Sequence, residues 1–228
     1  MLRPAVYTVL AALVASPTLP FTARVSAQPA AVVRLPEPRR DGRMSVEAAL
    51  WARHSTRAFT RDSLALGDLA QLLWAAQGAN RPDGHRTVPS ANATYPLEVL
   101  VLPARVPGLP AGVYRYRSGA HTLELALSGD RVPEFLKSAA TAPWIADAAA
   151  IIVITGLSEK TARRYGARAE RYTALEVGHA AQSVALQAAA LGLGTTYVGG
   201  FVDSEVTRLL ALPAGEVPYA VLPIGRPR

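Results

Sequence analysis

The sequence predicts an α+β fold, with a central, mostly antiparallel sheet flanked by helices. Residues 148–155 (AAAIIVIT) form an apolar run with the length of a fully buried strand. Residues 113–117 and 121–125 alternate in polarity around a short Ser-Gly-Ala turn, which is the pattern of an antiparallel hairpin. Helical patterns surround these strands without a regular strand–helix–strand repeat, so a parallel winding is not expected.

The first half of the chain is predicted to hold two helices, a loop and a strand. Residues 45–53 are predicted as a helix because Ser45 can cap its start. Residues 66–76 (LGDLAQLLWAA) follow as a helix whose apolar residues recur at helical spacing. Residues 78–93 contain glycine, asparagine and proline and are predicted as a loop, whereas residues 97–102 (LEVLVL) are predicted as a strand.

The second half is predicted to complete the fold with helices and two more strands. Residues 132–140 are predicted as a short helix. Residues 159–191 are predicted as one or two long helices, and the later part is so rich in alanine that it can pack closely. Residues 195–198 and 219–224 are predicted as strands, with a helix over 204–212 between them.

Composition limits the class of protein. The chain has 228 residues, of which 50% are hydrophobic, and no cysteine. These values exclude bulk disorder, disulfides and thiolate chemistry. The formal net charge is +7, but the arginines are spread along the chain without interleaved aromatic residues. Nucleic-acid binding is therefore not expected.

Residues 1–27 are predicted to be a secretory signal peptide. Residues 5–15 (AVYTVLAALVA) form its apolar core, and the sequence Val-Ser-Ala ending at Ala27 fits the rule for cleavage after small residues. An uncleaved membrane anchor is the alternative, but the apolar run is well below the ~20 residues that span a bilayer. We therefore expect a periplasmic or secreted protein, with no stable membrane insertion after cleavage near Ala27.

The mature chain is predicted to be one domain preceded by an arm. Removing the leader leaves 22 lysines and arginines against 17 acids, a net charge of +5. Residues 28–43 are rich in proline, arginine and alanine and are predicted to be an extended linker or arm. Residues 44–228 are predicted to form the domain, which is long enough for a substantial core.

Several short motifs occur in an order that resembles the nitroreductase family. They are residues 50–59 (LWARHSTRAF), 89–99 (PSANATYPLEV), 172–183 (YTALEVGHAAQS) running into 191–201 (LGLGTTYVGGF), and 222–227 (LPIGRP). The Tyr-Pro-Leu-Glu-Val loop and the Gly-Arg-Pro ending are similar to the SagB-type, ThcOx-like dehydrogenase branch. The resemblance implies an FMN-dependent oxidoreductase of nitroreductase-like fold, completed as a homodimer whose subunits share each flavin site.

The first motif supplies candidate ligands for the cofactor phosphate. Arg53 and Arg57 are four residues apart, so on a helical turn they would share a face with Ser55 close by. Such a cluster can bind phosphate, and a solvated basic helix end is the alternative. By resemblance, Arg53, His54, Ser55 and Arg57 bind the phosphate or the pyrimidine edge of FMN. Arg226 would close the phosphate site from the far end of the chain, with a frayed basic terminus as the alternative.

The resemblance also assigns residues to the rest of the flavin. Pro89, Ser90 and Asn92 would line its dimethylbenzene and ribityl side. The SagB-type branch has glycine at the position of Asn92, but asparagine also tolerates left-handed backbone geometry. Gly199 and Gly200 would bring a backbone N–H close to the flavin N5, and an ordinary strand-to-helix turn is the alternative.

Tyr165 is the one candidate catalytic residue. Arg164 and Tyr165 stand where azoline-oxidising members of the branch carry a Lys-Tyr dipeptide that supplies proton transfer. Arginine stays protonated and cannot act as a general base, which speaks against peptide azoline oxidation. A packing role is the alternative for Tyr165.

No metal site is predicted, because the histidines are dispersed and His179, on the alanine-rich helix, is expected to be buried and hydrogen-bonded. The Gly-x-Gly-x-x-Gly fingerprint is absent, so a nicotinamide donor would bind only transiently and the electron donor stays unknown. The resemblance implies hydride transfer between flavin N5 and a small conjugated or electron-poor substrate by a ping-pong route. A nitroreductase-like module that binds flavin or another ligand without turnover is the alternative.

Overall fold

The computed structural model describes residues 31–138 and 142–228, so the predicted leader and its cleavage site lie outside the described residues. Six strands form one sheet in the order β1-β4-β3-β2-β5-β6. They are β1 (Val32–Arg34), β2 (Leu97–Pro103), β3 (Gly112–Arg117), β4 (Thr122–Ser128), β5 (Ala150–Gly156) and β6 (Val217–Ile224). Every neighbouring pair is antiparallel, which confirms the predicted α+β class.

Six α-helices surround this sheet within the described residues. They are α1 (Val46–Ala52), α2 (Leu66–Gln77), α3 (Val132–Ser138), α4 (Ser158–Tyr165), α5 (Ala169–Ala190) and α6 (Asp203–Leu209). The cap predicted for the first helix is present, because the Ser45 hydroxyl accepts a hydrogen bond from the Ala48 N–H at 3.1 Å. Among the described residues, no helix has the length and apolar character needed to cross a membrane.

The sheet separates two apolar layers. Ile152 and Ile154 of β5 pack into a cluster with residues of α2 and α5. Ile151 and Val153 point to the other side, into a cluster that includes residues of α3 and α6. Successive residues of a strand face opposite sides of a sheet, so an apolar strand buried on both faces has no polar alternation. This explains the continuous apolar run that predicts β5.

The long helix α5 packs on the sheet through a stripe of small residues. Its buried positions recur at intervals of three and four and are Ala169, Thr173, Glu176, Val177, Ala180, Ala181, Val184 and Ala188. Small side chains on this stripe let α5 approach α2 closely. The helix ends at Ala190, and Gly192 shortly after it has a φ of 68°, a left-handed conformation that glycine adopts without strain.

The arm predicted over residues 28–43 contributes the first strand of the sheet. Val33 of β1 pairs with Leu123 of β4, and Leu35 is buried in the α2–α5 cluster. The Arg39 N–H then donates to the Gln71 side chain at 2.8 Å. The part of this segment that the structure describes therefore forms the edge of the sheet and packs on the core of the domain.

Two local predictions are wrong. The first helix ends at Ala52, and the chain from Arg53 onward is extended rather than helical. Residues 195–198 do not form the predicted strand and make only isolated bridges to neighbouring segments.

Three segments that are distant in sequence meet beside the extended stretch that starts at Arg53. Gly194 and Gly225 exchange backbone hydrogen bonds of 2.7 and 3.3 Å. A Cβ on Gly194 would lie 2.6 Å from side-chain atoms of Thr56, and one on Gly225 would lie 3.0 Å from the ring of Phe59. The segments can approach this closely only because both positions lack a side chain.

We predict that Gly194→Ala lowers the free energy of unfolding by about 1–3 kcal/mol, because the added methyl group overpacks the buried, β-branched Thr56. Urea denaturation measures the change. Gly67→Ala is the matched control, since a Cβ on Gly67 meets nothing within 4 Å. Equal stabilities of the two variants would contradict the close-packing argument.

Candidate active site

The first motif is an extended segment that lies against the chain after α5. The Thr56 N–H donates to the Thr195 carbonyl at 3.0 Å, and Ser55 forms a parallel bridge with Thr195. The shared helical face predicted for Arg53 and Arg57 is therefore wrong. Arg53 lines the cavity beside this segment, whereas Ser55 and Arg57 are exposed and do not line it.

Arg53 and His54 line a cavity of about 160 Å³ together with Thr195 and Pro227. The ring nitrogen Nδ1 of His54 lies 3.0 Å from the Ala52 carbonyl, which fixes the imidazole near the end of α1. The Thr195 hydroxyl is buried and has no hydrogen-bond partner among the described residues. A buried hydroxyl without a partner is costly, and a polar ligand in this cavity would satisfy it.

The C-terminal motif is held in place by its backbone. The Thr60 N–H donates to the Arg226 carbonyl at 2.9 Å, and the Arg228 N–H donates to the Ala58 carbonyl at 3.1 Å. These bonds exclude the alternative of a frayed terminus. The Arg226 side chain is exposed.

Gly199 and Gly200 follow directly on a bridge to the sheet. The Val198 N–H donates to the Val221 carbonyl of β6 at 2.9 Å, so the glycine pair begins at the edge of the sheet. Both glycines are exposed. A Cβ on Gly199 would lie 3.2 Å from the Tyr197 ring. Their predicted contact with flavin N5 stays a prediction.

The second motif forms a separate cavity of about 620 Å³, lined in part by Pro89, Ser90, Asn92 and Tyr95. The Ser90 hydroxyl accepts from the Tyr95 N–H at 2.9 Å and donates to Glu176 Oε1 at 3.0 Å. This cavity shares no lining residue with the cavity beside Arg53. Within one chain, the predicted cofactor residues therefore belong to two separate places.

Asn92 takes the backbone conformation that its sequence position requires. Its φ of 52° and ψ of 35° lie in the left-handed region. This conformation is the one expected at a position where the SagB-type branch has glycine. With its amide oxygen turned toward α4, Asn92 accepts hydrogen bonds from Arg164 Nε at 3.3 Å and Nη1 at 3.1 Å. Arg164 thus contacts the loop that carries the second motif.

Glu176 of α5 binds this loop through hydrogen bonds, and no sequence pattern assigned it a role. Its Oε1 accepts from the Ala91 N–H at 2.8 Å as well as from Ser90, while Oε2 is buried without a partner. Burial raises the pKa of Glu176, and the bonds from Ala91 and Ser90 offset only part of that effect. Glu176 could have been found from the sequence as an acidic residue among the apolar positions of a helix, because buried acids are rarely unpaired.

Tyr165 lies away from both cavities. Its half-buried ring packs edge to face on Tyr172, with ring centroids 4.9 Å apart. This contact favours the packing alternative for Tyr165 over a catalytic role.

The histidine prediction needs one correction. His179 is exposed, because it falls between the buried positions of the α5 stripe. Among residues 31–138 and 142–228, no group of three or more histidine, cysteine or acidic side chains could hold a metal ion.

Comparison with known proteins assigns the fold to a family. Residues 50–226 match the sequence profile of the nitroreductase family. A protein of Methanocaldococcus jannaschii that carries the nitroreductase name is 39% identical over 183 residues, covering 80% of this chain and 91% of that protein. The chain belongs to the nitroreductase family. It is therefore a member of a family of oxidoreductases.

Solved structures agree with this assignment. A nitroreductase-type protein of Ralstonia eutropha superposes with a TM-score of 0.75 at 32% identity, covering 88% of this nitroreductase-family chain and 94% of the other. A chain of the Escherichia coli microcin synthetase complex, crystallised with truncated pro-MccB17, gives a TM-score of 0.67 at 20% identity, covering 95% and 76%. At that identity the second likeness concerns the fold alone.

We predict that the contribution of Glu176 to stability falls as the pH rises. The pKa of the folded state lies above the ordinary value of 4.5, so this contribution is complete below about pH 4.5 and is lost as the pH passes the folded-state pKa. Urea denaturation at several pH values should therefore show that the wild type loses stability relative to Glu176→Gln as the pH rises. The exposed Glu170→Gln is the control, and parallel curves for wild type and Glu176→Gln would contradict the prediction.

Proposed function

We propose that this protein is an FMN-dependent oxidoreductase that transfers hydride between flavin N5 and a small conjugated or electron-poor substrate by a ping-pong route. The observation that carries the proposal is the convergence of residues 53–57, 194–195 and 225–227, three segments far apart in sequence. In nitroreductase-like proteins, motifs of this type bind the flavin, and their meeting here supports the same use.

The residues present fit the phosphate end of FMN. The cavity beside Arg53 offers a guanidinium, an imidazole and the unpartnered Thr195 hydroxyl. A guanidinium donates two parallel hydrogen bonds to phosphate oxygens, and the hydroxyl adds a further donor. When bound, FMN supplies the hydride chemistry, while these residues bind and orient it.

The same cavity is too small for a whole flavin. Ligand sites for molecules of drug size have volumes of about 300–1,000 Å³. The cavity beside Arg53 has about 160 Å³, whereas the one beside Ser90 has about 620 Å³ and lies elsewhere in the chain. We therefore propose a homodimer in which the Arg53 side of one subunit meets the Ser90 loop of its partner.

The surface supports this assembly. Helices α1 and α5 pack on one another, and both expose large apolar side chains. Trp51 is 93% exposed, and Val46, Leu50 and Leu175 are each more than half exposed. Exposed apolar residues on neighbouring helices are typical of a surface that a partner covers.

Two finer assignments accompany the proposal. Arg164, bonded to Asn92, holds the loop rather than moving a proton, which supports a SagB-type member that acts on something other than peptide azolines. The leader supports export with cleavage near Ala27. Mass spectrometry of the N-terminus of the protein from its host tests that cleavage, and an intact Met1 would contradict it.

We predict that purified protein is yellow and releases FMN. Arg53→Ala or Arg57→Ala should weaken FMN binding by about ten- to a hundredfold, since each removes a charge-assisted contact worth ~1.5–3 kcal/mol. Riboflavin lacks the phosphate, so its affinity should not change. Fluorescence titration of both flavins measures the difference, and Arg34→Ala, an exposed arginine of β1, is the control.

A colourless protein that binds no added FMN would overturn the proposal. Anaerobic mixing of the FMN-loaded protein with NADH, NADPH or a soluble quinol then separates an enzyme from the alternative, a binding module without turnover. Bleaching of the flavin by a donor at the turnover rate supports the enzyme. A protein that holds FMN but is reduced by no donor or substrate corresponds to the module.

We predict that Trp51→Glu converts a dimer to a monomer and weakens FMN binding together with dimerisation, because it places a charge on the apolar surface of α1. Sedimentation velocity at micromolar concentration measures the assembly. Trp51→Phe keeps the apolar surface and should stay dimeric. A wild-type protein that is monomeric and binds one FMN with full affinity would contradict the shared site.

A further inference from the structure

The cavity beside the Ser90 loop is basic. Arg81, His85 and Arg86 line it, and none of the described residues that line it is Asp or Glu. Asp83 lies outside the lining and pairs with His85 at 2.8 Å. A cavity walled by cations and low-dielectric protein attracts anions.

Arg86 is the half-buried cation of this group, and its guanidinium is fixed in position. Its Nη1 donates to Gln77 Oε1 at 2.8 Å, and its Cζ lies 4.4 Å from the centre of the Tyr95 ring. The guanidinium has five N–H donors, so most of the fork remains unused. Within the described part of the chain, no carboxylate forms an ion pair with Arg86.

Glu98 and Glu176 lie close enough for their charges to act on Arg86, but neither forms an ion pair with it. Glu98 binds Lys160 at 2.8 Å and Arg115 at 3.4 Å, and it lines a second cavity together with Arg86. Glu176 accepts hydrogen bonds from a backbone N–H and a hydroxyl of the Ser90 loop through its Oε1. Burial lowers the pKa of Arg86, and the charge of the nearby Glu98 opposes this effect. A partly desolvated cation without a counter-ion is costly, and arginines in this state commonly bind an anionic ligand.

We propose that Arg86 is the receptor for an anionic oxygen group, a carboxylate or a phosphate, on the small molecule that reacts in this protein. The inference rests on the proposed function for the reaction, but the binding of the anion can be measured without flavin. Tyr95 and Gln77 hold the fork so that its free N–H groups can meet two oxygens of the ligand. A flat substrate with an acidic group would thus be oriented at one end by Arg86.

Three probes test this inference. Calorimetric titration compares 4-nitrobenzoate with 4-nitrobenzamide, which has the same ring and nitro group but no charge. A second comparison uses phenyl phosphate, which distinguishes a phosphate from a carboxylate ligand. The proteins are the wild type, Arg86→Gln, Arg86→Lys and the matched control Arg81→Gln, which removes an exposed arginine of the same cavity.

We expect the wild type to bind an anionic probe at least tenfold more tightly than the neutral amide. Arg86→Gln should remove that preference, Arg86→Lys should keep part of it, and Arg81→Gln should leave it nearly unchanged. In protein loaded with FMN, the ratio of kcat/KM for the acid over the amide should fall by the same factor in Arg86→Gln.

Three results would overturn the inference. One is a wild type that shows no preference for the charged probes. Another is an equal loss in Arg81→Gln and Arg86→Gln, which would indicate only a diffuse positive field. The third is an Arg86→Gln protein that no longer binds FMN but still binds riboflavin. This result would make Arg86 a ligand of the cofactor phosphate. A protein that binds the anion through Arg86 but never binds FMN would refute the proposed function and leave the receptor intact.

Discussion

The close approach of three backbone segments at Gly194 and Gly225 is the constraint on which the candidate site depends. Thr56 and Phe59 occupy the space that side chains at these glycines would need. Because the segments touch, the extended chain after α1 bonds to Thr195, and the C-terminus lies against the same chain. Arg53 and Pro227, at opposite ends of the domain sequence, thereby line one cavity.

The sheet supplies the rigid frame for this junction. β5 and β6 are neighbours at one side of the sheet, and the segments that follow α5 and β6 meet beyond them. α5 connects the two parts of the site. Its buried Glu176 bonds to the Ser90 loop, and the turn at Gly192 after its last residue leads the chain to Gly194. A rigid helix on a buried sheet can position loops whose own residues are mostly exposed.

The two cavities share one feature, which is polar and charged groups without a partner among the described residues. Elsewhere in the described chain, a partly buried arginine forms an ion pair with an acid, as in the Arg115–Glu216 contact of 3.0 Å. Arg53 and Arg86 instead line cavities, and both are only partly exposed. The unpartnered Thr195 hydroxyl and Glu176 Oε2 lie in the same two regions. Polar groups left unsatisfied in a folded chain are expected where ligands bind, since the ligand completes their bonding.

The sequence by itself determined the helices in outline and the strands β2 to β6, but not β1. It also determined the burial of β5 on both faces and the left-handed turn at Asn92, because each follows from local periodicity or backbone sterics. It also contained the motifs that identify the family. Only the tertiary structure decided that Arg53 begins an extended segment rather than a helical face, since the bond from Thr56 to Thr195 overrides local helix preference. The same holds for Glu176 and Arg86, whose partners lie 85 and 9 residues away. Partners of buried polar groups are chosen by packing, which no local pattern in the chain encodes.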